Sequence, residues 1–308
     1  MRAARMERLK KIGLVNTTLS ALERKLGPPS SPQNALNKIG SGEVAFPLPW
    51  EELTDEQRRF QSMKMAIHAA LVDRMDQEIG RIIAQLKSMN AFENTIIFFA
   101  SDNGASAEML VRDGGHDPAA EPGSAKTYLS LGPGFSSACN TPFRRHKVWV
   151  HEGGISTPLI VHWPAGIQAK GEIRHAAGHL IDIVPTILEL AGVNKPKELK
   201  GVAVPESPGC SLVPLFNRNE GLHREVIWWL HMGHRALRVG DWKLVASKDE
   251  KWELYDTRTD RAEENNLAAK MPEKVQEMEK IWQQMSDQFT GMALKGLPEN
   301  LTGKKKAE

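Results

Sequence analysis

Residues 95–104 read Thr-Ile-Ile-Phe-Phe-Ala-Ser-Asp-Asn-Gly, and this stretch decides how the chain places its chemistry. The uncharged residues 95–100 are rich in β-branched and aromatic types, which predicts a strand covered on both faces. Gly104 gives the backbone the freedom to turn sharply after that strand. Because open α/β sheets bind ligands at the carboxyl ends of their strands, we expect Asp102 and Asn103 to lie in a site.

Asp102 and Asn103 carry oxygen atoms of the kind that hard metal ions prefer. Carboxylate and amide oxygens favour Ca²⁺ or Mg²⁺ over softer metals. Asp-Asn-Gly is also the sequence of an ordinary turn, so the pair does not establish a site by itself. Since Ca²⁺ takes about six to eight oxygens, a real site needs further carboxylates from elsewhere in the fold.

A second group of polar residues follows at 147–154, which read Lys-Val-Trp-Val-His-Glu-Gly-Gly. A lysine ammonium beside the oxygens of an ester anion stabilises the charge that develops there as the ester bond breaks. Gly153 and Gly154 allow the backbone to approach closely and to turn into an apolar run, 158–163, which we predict to be a strand. The two groups together predict a metal-assisted anion site.

The order of these blocks resembles the sulfatases of the alkaline-phosphatase superfamily, most closely the bacterial arylsulfatase-like members. Residues 101–104 resemble the family's second metal-binding block. Lys147 with residues 152–154 resembles its sulfate-contacting lysine block at the same spacing, and this spacing is what favours a site role over an ordinary surface lysine. Three further blocks agree in order: 69–76, 179–186, and 236–245 with 252–256.

The resemblance implies both a fold and an activity. The implied fold class is α/β, an alkaline-phosphatase-like α/β/α sandwich that is incomplete at its amino end (1–205), followed by a small α+β subdomain (206–308). The implied activity is calcium-assisted hydrolysis of sulfate esters. The resemblance makes Asp102 and Asn103 metal ligands and Lys147 a catalytic and substrate-binding residue.

Two histidines are further candidates for the site. His151 falls where the family has an aromatic residue or His, and we take it as a catalytic residue that could protonate a leaving alcohol. His116, in Gly-Gly-His-Asp at 114–117, is a candidate substrate contact. For His116 the plainer alternative is a turn histidine.

The family's nucleophile is a formylglycine made from the Cys or Ser of a Cys/Ser-x-Pro-x-Arg motif, and no window of this sequence matches it. Residues 139–144, Cys-Asn-Thr-Pro-Phe-Arg, come nearest, but they are one residue too long and follow the metal block, whereas the family motif precedes it. Cys210 does not fit either. We therefore expect a carboxyl-terminal portion of a sulfatase that lacks the nucleophile and is inactive in isolation.

Two other functions stay open at this point. One is a phosphatase or phosphonate hydrolase of the same superfamily, and the other is a non-catalytic remnant or binding module. The sequence does not identify the alcohol that carries the sulfate, so the expected partner is a small sulfate ester or a sulfated glycan. The family implies a periplasmic or secreted protein, although no apolar signal core follows Met1.

Composition is consistent with this interpretation. At 308 residues and 41% hydrophobic, the chain is long enough for one large domain and one small one. Its net charge of +2 makes no case for nucleic-acid binding. Its two cysteines give no disulfide framework. The sequence contains no run of about 18 apolar residues, so we expect no membrane span.

Hydrophobic periodicity locates the principal helices and strands. Thr54 and Gln57 have the spacing of a capping box before a long amphipathic helix. Residues 105–145 are rich in Gly and Pro and predict a functional loop at the rim of a cleft. We expect a helix over 182–192 with Asp182 as its cap. Residues 226–230, 235–239, 242–246 and 252–255 predict an antiparallel sheet. A closing helix over 271–289 has Val275, Met278, Trp282 and Met285 on one face.

Overall fold

A computed structural model describes residues 1–28, 36–109, 115–204, 207–219, 222 and 224–295. The chain divides into two compact units. Unit 1 comprises Met1–Ile167 with Asp256–Asn265, and unit 2 comprises Gln168–Tyr255 with Asn266–Glu308. The domains predicted from the sequence, 1–205 and 206–308, have other boundaries than these units, and that domain assignment stays a prediction.

Among its described residues, unit 1 contains five α-helices and one two-stranded sheet. Its elements are α1 (Arg2–Lys11), α2 (Leu36–Ile39), α3 (Asp55–Ser88), β1 (Ile97–Ala100), α4 (Gly132–Cys139), α5 (Glu152–Ile155) and β2 (Leu159–His162). Short 3₁₀ turns precede α3 and β1, at Trp50–Glu52 and Phe92–Asn94. This order places β1 and α5 immediately next to the two predicted site blocks.

Helix α3 begins with the capping box that the sequence predicts. Gln57 N donates to Thr54 Oγ1 at 3.2 Å, and Thr54 N donates to Gln57 Oε1 at 2.9 Å. The apolar residues that recur every three or four positions along this helix form one face, and that face is partly exposed. Its members include Leu71, 64% exposed, and Ile82, 63% exposed. The periodicity therefore identified the helix correctly but not what covers it.

Strand β1 pairs antiparallel with β2, and Ile97 faces His162 while Ala100 faces Leu159. The prediction of a strand here is confirmed. The prediction that it is covered on both faces is wrong for this structure, because Phe99 is 42% exposed and its neighbour Ala100 is exposed too. A run of apolar residues specifies that a strand can be buried, but the layers that cover it come from segments distant in sequence.

Helix α4 lies inside the stretch predicted to be a loop, and that prediction is corrected here. Gly132 adopts φ +72° before the helix continues, and Pro133 lies in the first turn, where a missing N–H costs little. Phe135 and Ala138, three residues apart, are both buried. The Gly-Pro-Gly start resembles a loop, but the segment forms a helix most of whose residues are buried.

Unit 2 is built on a four-stranded antiparallel sheet. Its elements are α6 (Ile183–Leu190), β3 (Glu198–Leu199), β4 (Val202–Ala203), β5 (Val226–His231), β6 (His234–Val239), β7 (Trp242–Ala246), β8 (Glu253–Asp256) and α7 (Pro272–Lys295), with 3₁₀ turns at Leu180–Asp182 and Val213–Leu215. Strands β5, β6, β7 and β8 are neighbours in that order, and the four predicted strands form one sheet in which β5, β6 and β7 pair antiparallel.

The core of unit 2 lies between this sheet and α7. Leu237, Leu244 and Leu254 of the sheet are fully buried against Met278 and Trp282 of α7. Burying each such side chain contributes roughly 1.5 to 3 kcal/mol. The predicted apolar face of the closing helix is confirmed by these contacts.

Asp182 occupies the N-cap position of α6, as the sequence predicts, but its carboxylate accepts no hydrogen bond from the first turn of that helix. Its Oδ2 accepts a hydrogen bond from His179 N at 2.7 Å, which closes the preceding 3₁₀ turn. Its Oδ1 accepts from Cys210 N at 3.0 Å and pairs with the Arg224 guanidinium. Because Asp182 is also the last residue of that 3₁₀ turn, its carboxylate serves the turn and a distant loop instead of the first turn of α6.

Candidate functional site

The two predicted site blocks meet through main-chain hydrogen bonds. Gly104 N donates to Gly154 O at 2.8 Å, and Lys147 N donates to Ala105 O at 3.1 Å. A Cβ atom on Gly104 would lie 1.8 Å from Gly153 O, so the approach requires glycine at this position. The end of the β1 segment and the lysine block are thereby fastened side by side.

Helix α4 adds a second fastening between the same blocks. Asn140 Oδ1 accepts from Ala105 N at 2.8 Å, and Asn140 Nδ2 donates to Arg145 O at 3.1 Å. Ser136 Oγ lies 2.9 Å from Ala105 O and 2.7 Å from His146 Nδ1. We call Ser136, Asn140 and His146 the α4 clamp. Sequence reasoning missed it, because a Ser, an Asn and a His within a Gly/Pro-rich stretch carry no local signal for a shared contact.

His146 is held in its neutral form inside the clamp. Burial, and to a smaller extent the nearby charges of Arg145 and Arg2, lower the pKa of its imidazole to about 4. At neutral pH the ring therefore presents one donor and one acceptor to its surroundings. The clamp works through hydrogen bonds without a charge of its own on the imidazole.

Asp102 and Asn103 stand at the end of β1 as expected. Asp102 is exposed, and Asn103 Nδ2 donates to Gly104 O at 2.9 Å, which leaves the amide carbonyl oxygen for a cation. Their oxygens fit the chemistry of Ca²⁺. Within the described residues, however, no three His, Cys, Asp or Glu side chains come together as a metal site. The pair fits as two ligands of an ion that takes about six to eight.

Lys147 extends from the lysine block with its ammonium half exposed. Its side chain is 39% exposed, and Nζ lies 3.1 Å from Glu108 Oε2. An ammonium has three N–H donors, so the ion pair leaves others for an anion. The geometry is compatible with a lysine that contacts a sulfate group. Glu108 was not among the residues singled out from the sequence.

The two histidine candidates have structural surroundings. His151 is fully buried, so a substrate does not reach its ring in this conformation. His116 uses both ring nitrogens on main-chain groups: Nδ1 accepts from Tyr128 N at 3.0 Å, and Nε2 lies 2.9 Å from Ile39 O. The roles of His151 in catalysis and of His116 in substrate binding stay predictions, and these contacts do not favour them.

The lysine block is also held by residues 256–265, which we call the strap. Arg261 pairs with Glu152 at 2.9 Å and donates to Ser156 Oγ at 2.6 Å. Glu263 Oε2 accepts from Glu152 N at 3.0 Å. The strap lies more than one hundred positions further along the chain, so no local pattern could have shown that it stabilises the first turn of α5.

Cys139, at the end of α4, has the surroundings of a structural cysteine. Burial raises the pKa of its thiol, which disfavours the reactive thiolate at neutral pH. This agrees with the interpretation that its partial match to the nucleophile motif is accidental. It forms no disulfide with Cys210.

Comparison with known proteins identifies the family. The sulfatase family model matches residues 46–193, and a model described as N-sulphoglucosamine sulphohydrolase, C-terminal, matches residues 144–293. Together they span the β1 end, the clamp, the lysine block and the strap. The chain belongs to the sulfatase family. The resemblance drawn from the sequence is thereby confirmed.

Individual sulfatases show how far the likeness extends. An uncharacterized sulfatase of Schizosaccharomyces pombe is 32% identical over 252 residues, which are 76% of this chain and 45% of that protein. An arylsulfatase of Klebsiella aerogenes is 31% identical over 175 residues, 53% of this chain and 37% of its own length. The sulfatase chain therefore spans less than half the length of these relatives.

Solved structures confirm the fold class. The crystal structure of Ps i-CgsB in complex with k-i-k-neocarrahexaose superposes with a TM-score of 0.51 at 23% identity, covering 68% of this chain and 40% of that one. The predicted alkaline-phosphatase-like α/β fold is thus correct. No helix among the described residues is long and apolar enough to cross a membrane.

Proposed function

We propose that the protein hydrolyses sulfate esters and that this chain supplies Asp102, Asn103 and Lys147 to the site. One observation carries the proposal: main-chain hydrogen bonds from Gly104 to Gly154 and from Lys147 to Ala105 hold the oxygen donors and the ammonium on adjacent backbone. A sulfate ester needs both, because its oxygens are negative in the ground state and gain charge as the ester bond breaks.

Lys147 is assigned to the sulfate oxygens. Its backbone N–H is held by Ala105 O and its side chain is 39% exposed, so an anion can reach the ammonium without unfolding the block. Asp102 and Asn103 are assigned to a calcium ion, to which they offer a carboxylate and an amide oxygen. When bound, such an ion would neutralise charge on the sulfate group as a Lewis acid.

The proposal assigns no nucleophile to this chain. Its 308 residues contain no Cys/Ser-x-Pro-x-Arg sequence from which a formylglycine could be made. Cys139 is no substitute, because burial raises its thiol pKa. We therefore propose that the isolated chain does not turn over sulfate esters, and that turnover requires a segment that carries the motif.

The proposed substrate is a sulfated sugar or an aryl sulfate. Similar proteins support both classes: one relative is an arylsulfatase, and one structure of similar fold holds a neocarrahexaose. A periplasmic or secreted location is part of the same proposal.

A substrate panel tests the proposal. The isolated chain and a protein that joins it to a segment with Cys/Ser-x-Pro-x-Arg would be assayed on aryl sulfate, aryl phosphate and aryl phosphonate esters. We expect turnover of the sulfate by the joined protein only. Preferential turnover of a phosphate or phosphonate would support the other activity of the superfamily. Turnover of sulfate by the isolated chain, surviving in Cys139→Ala, would show that another group acts as nucleophile.

A further inference from the structure

Glu108 shapes the surroundings of the Lys147 ammonium. Its Oε2 lies 3.1 Å from Lys147 Nζ, and its side chain is 19% exposed. Ser106 Oγ donates to the same Oε2 at 3.0 Å and accepts from Glu108 N at 3.2 Å. Ser106 thus fixes both the backbone and the carboxylate of Glu108, so the ammonium faces a carboxylate that is already oriented.

This arrangement has two opposite effects on an anion at Lys147. The carboxylate orients the ammonium, which a flexible four-carbon side chain would not do unaided. The same negative charge also repels an incoming sulfate group, because the anion must approach within a few ångströms of it. Since Lys147 and Glu108 are both partly exposed, solvent screens their attraction, and an oxyanion can compete for the ammonium.

We propose that Glu108 is a positioning residue for Lys147, which holds the ammonium in place and sets its affinity for the oxygens of a sulfate group. The inference rests on the proposed function, because it requires Lys147 to bind the anion. It adds a residue outside the predicted site blocks.

The test uses the 308-residue chain, inorganic sulfate as the probe, and NMR of ¹⁵N-labelled lysine ammonium and backbone amide groups. Glu108→Gln keeps the side-chain length and an acceptor oxygen but removes the charge. Glu51→Gln, at an exposed position, makes the same change in net charge and serves as the control.

We expect Glu108→Gln to move the Lys147 ammonium signal in sulfate-free protein. It should also tighten sulfate binding about threefold at low ionic strength, which is the scale of a partly exposed pair. The gain should shrink towards none at about 1 M ionic strength, where charges are screened within roughly 3 Å. Glu51→Gln should produce neither effect, and thermal unfolding of both variants should stay unchanged.

Lys147→Met distinguishes a failure of the proposed anion contact of Lys147 from a failure of the positioning role of Glu108. If sulfate still shifts the same amide signals in this variant, the proposed anion contact of Lys147 is wrong. If Lys147→Met abolishes the shifts but Glu108→Gln matches Glu51→Gln in affinity and ammonium signal, the anion contact stands and the positioning role of Glu108 is overturned. If sulfate shifts no signal in any of these chains, both the anion contact and the positioning role are overturned.

Discussion

Ser136 and Ser137 are adjacent buried serines on α4 that make different contacts, and their truncation tests whether the α4 clamp joins the site blocks. Ser136 Oγ reaches Ala105 O at 2.9 Å and His146 Nδ1 at 2.7 Å. Among the described residues, Ser137 Oγ donates only to Pro133 O of its own helix, at 2.8 Å. Ser136→Ala therefore breaks contacts with both blocks, whereas Ser137→Ala breaks none of them.

The expected magnitudes follow from these contacts. Each hydrogen bond contributes about 1 kcal/mol, and a buried polar atom left unpaired costs about 1 to 3 kcal/mol, so Ser136→Ala should cost roughly 2 to 3 kcal/mol. Ser137→Ala should cost close to nothing, since a serine that bonds back to its own helix stabilises it little. For a unit of this size, 2 to 3 kcal/mol lowers the melting temperature by about 4 to 12 °C.

Amide hydrogen exchange locates the effect. Ala105 N donates to Asn140 Oδ1, and Lys147 N donates to Ala105 O, so both amides report on the junction. A local loss of about 2 kcal/mol accelerates their exchange about thirtyfold in Ser136→Ala. Equal effects of the two serine variants, in exchange and in melting, would refute the clamp.

Three further predictions concern titration, reactivity and metal binding. As the pH falls from about 6.5 to about 4, His146 takes up a proton in the unfolded chain but stays neutral in the folded chain, so the free energy of unfolding should drop by on the order of 3 kcal/mol. Urea unfolding at several pH values should show this drop, and His146→Gln should remove it. Because burial raises its thiol pKa, Cys139 should react with a disulfide reagent more slowly in the folded chain than in urea, measured in a Cys210→Ala background; equal rates would contradict the burial argument. Calorimetry should show Ca²⁺ binding to this chain no tighter than about millimolar, and submicromolar binding that Asp102→Ala abolishes would show that the site is already complete.

Local sequence features predicted a large part of the fold. The capping box of α3 and the strands and closing helix of unit 2 depend on contacts between residues near in sequence or on a clear period, and the structure contains them. The family blocks likewise placed Asp102, Asn103 and Lys147 on the segments that the hydrogen bonds bring together.

The features that the sequence did not predict depend on distant partners. The helix α4 was hidden by its Gly-Pro-Gly start, and its Ser136 contacts Ala105 from 31 positions away. The strap reaches Glu152 from residue 263. The exposure of Phe99 and the burial of His151 depend on which segments pack around them. A single sequence does not specify this packing.

The most direct test of the proposed site is the activity of Lys147→Ala in a protein that joins this chain to a segment with the Cys/Ser-x-Pro-x-Arg motif. Loss of a charge-assisted contact that strengthens in the transition state should lower kcat/KM for an aryl sulfate about a hundredfold, or by about 3 kcal/mol. Melting should hardly change, since a half-exposed lysine packs little apolar surface. Lys126→Ala, at an exposed position, should leave both quantities unchanged. Near-normal turnover by Lys147→Ala, or a loss of melting temperature large enough to explain its lost activity, would contradict the assignment of Lys147 to the sulfate group.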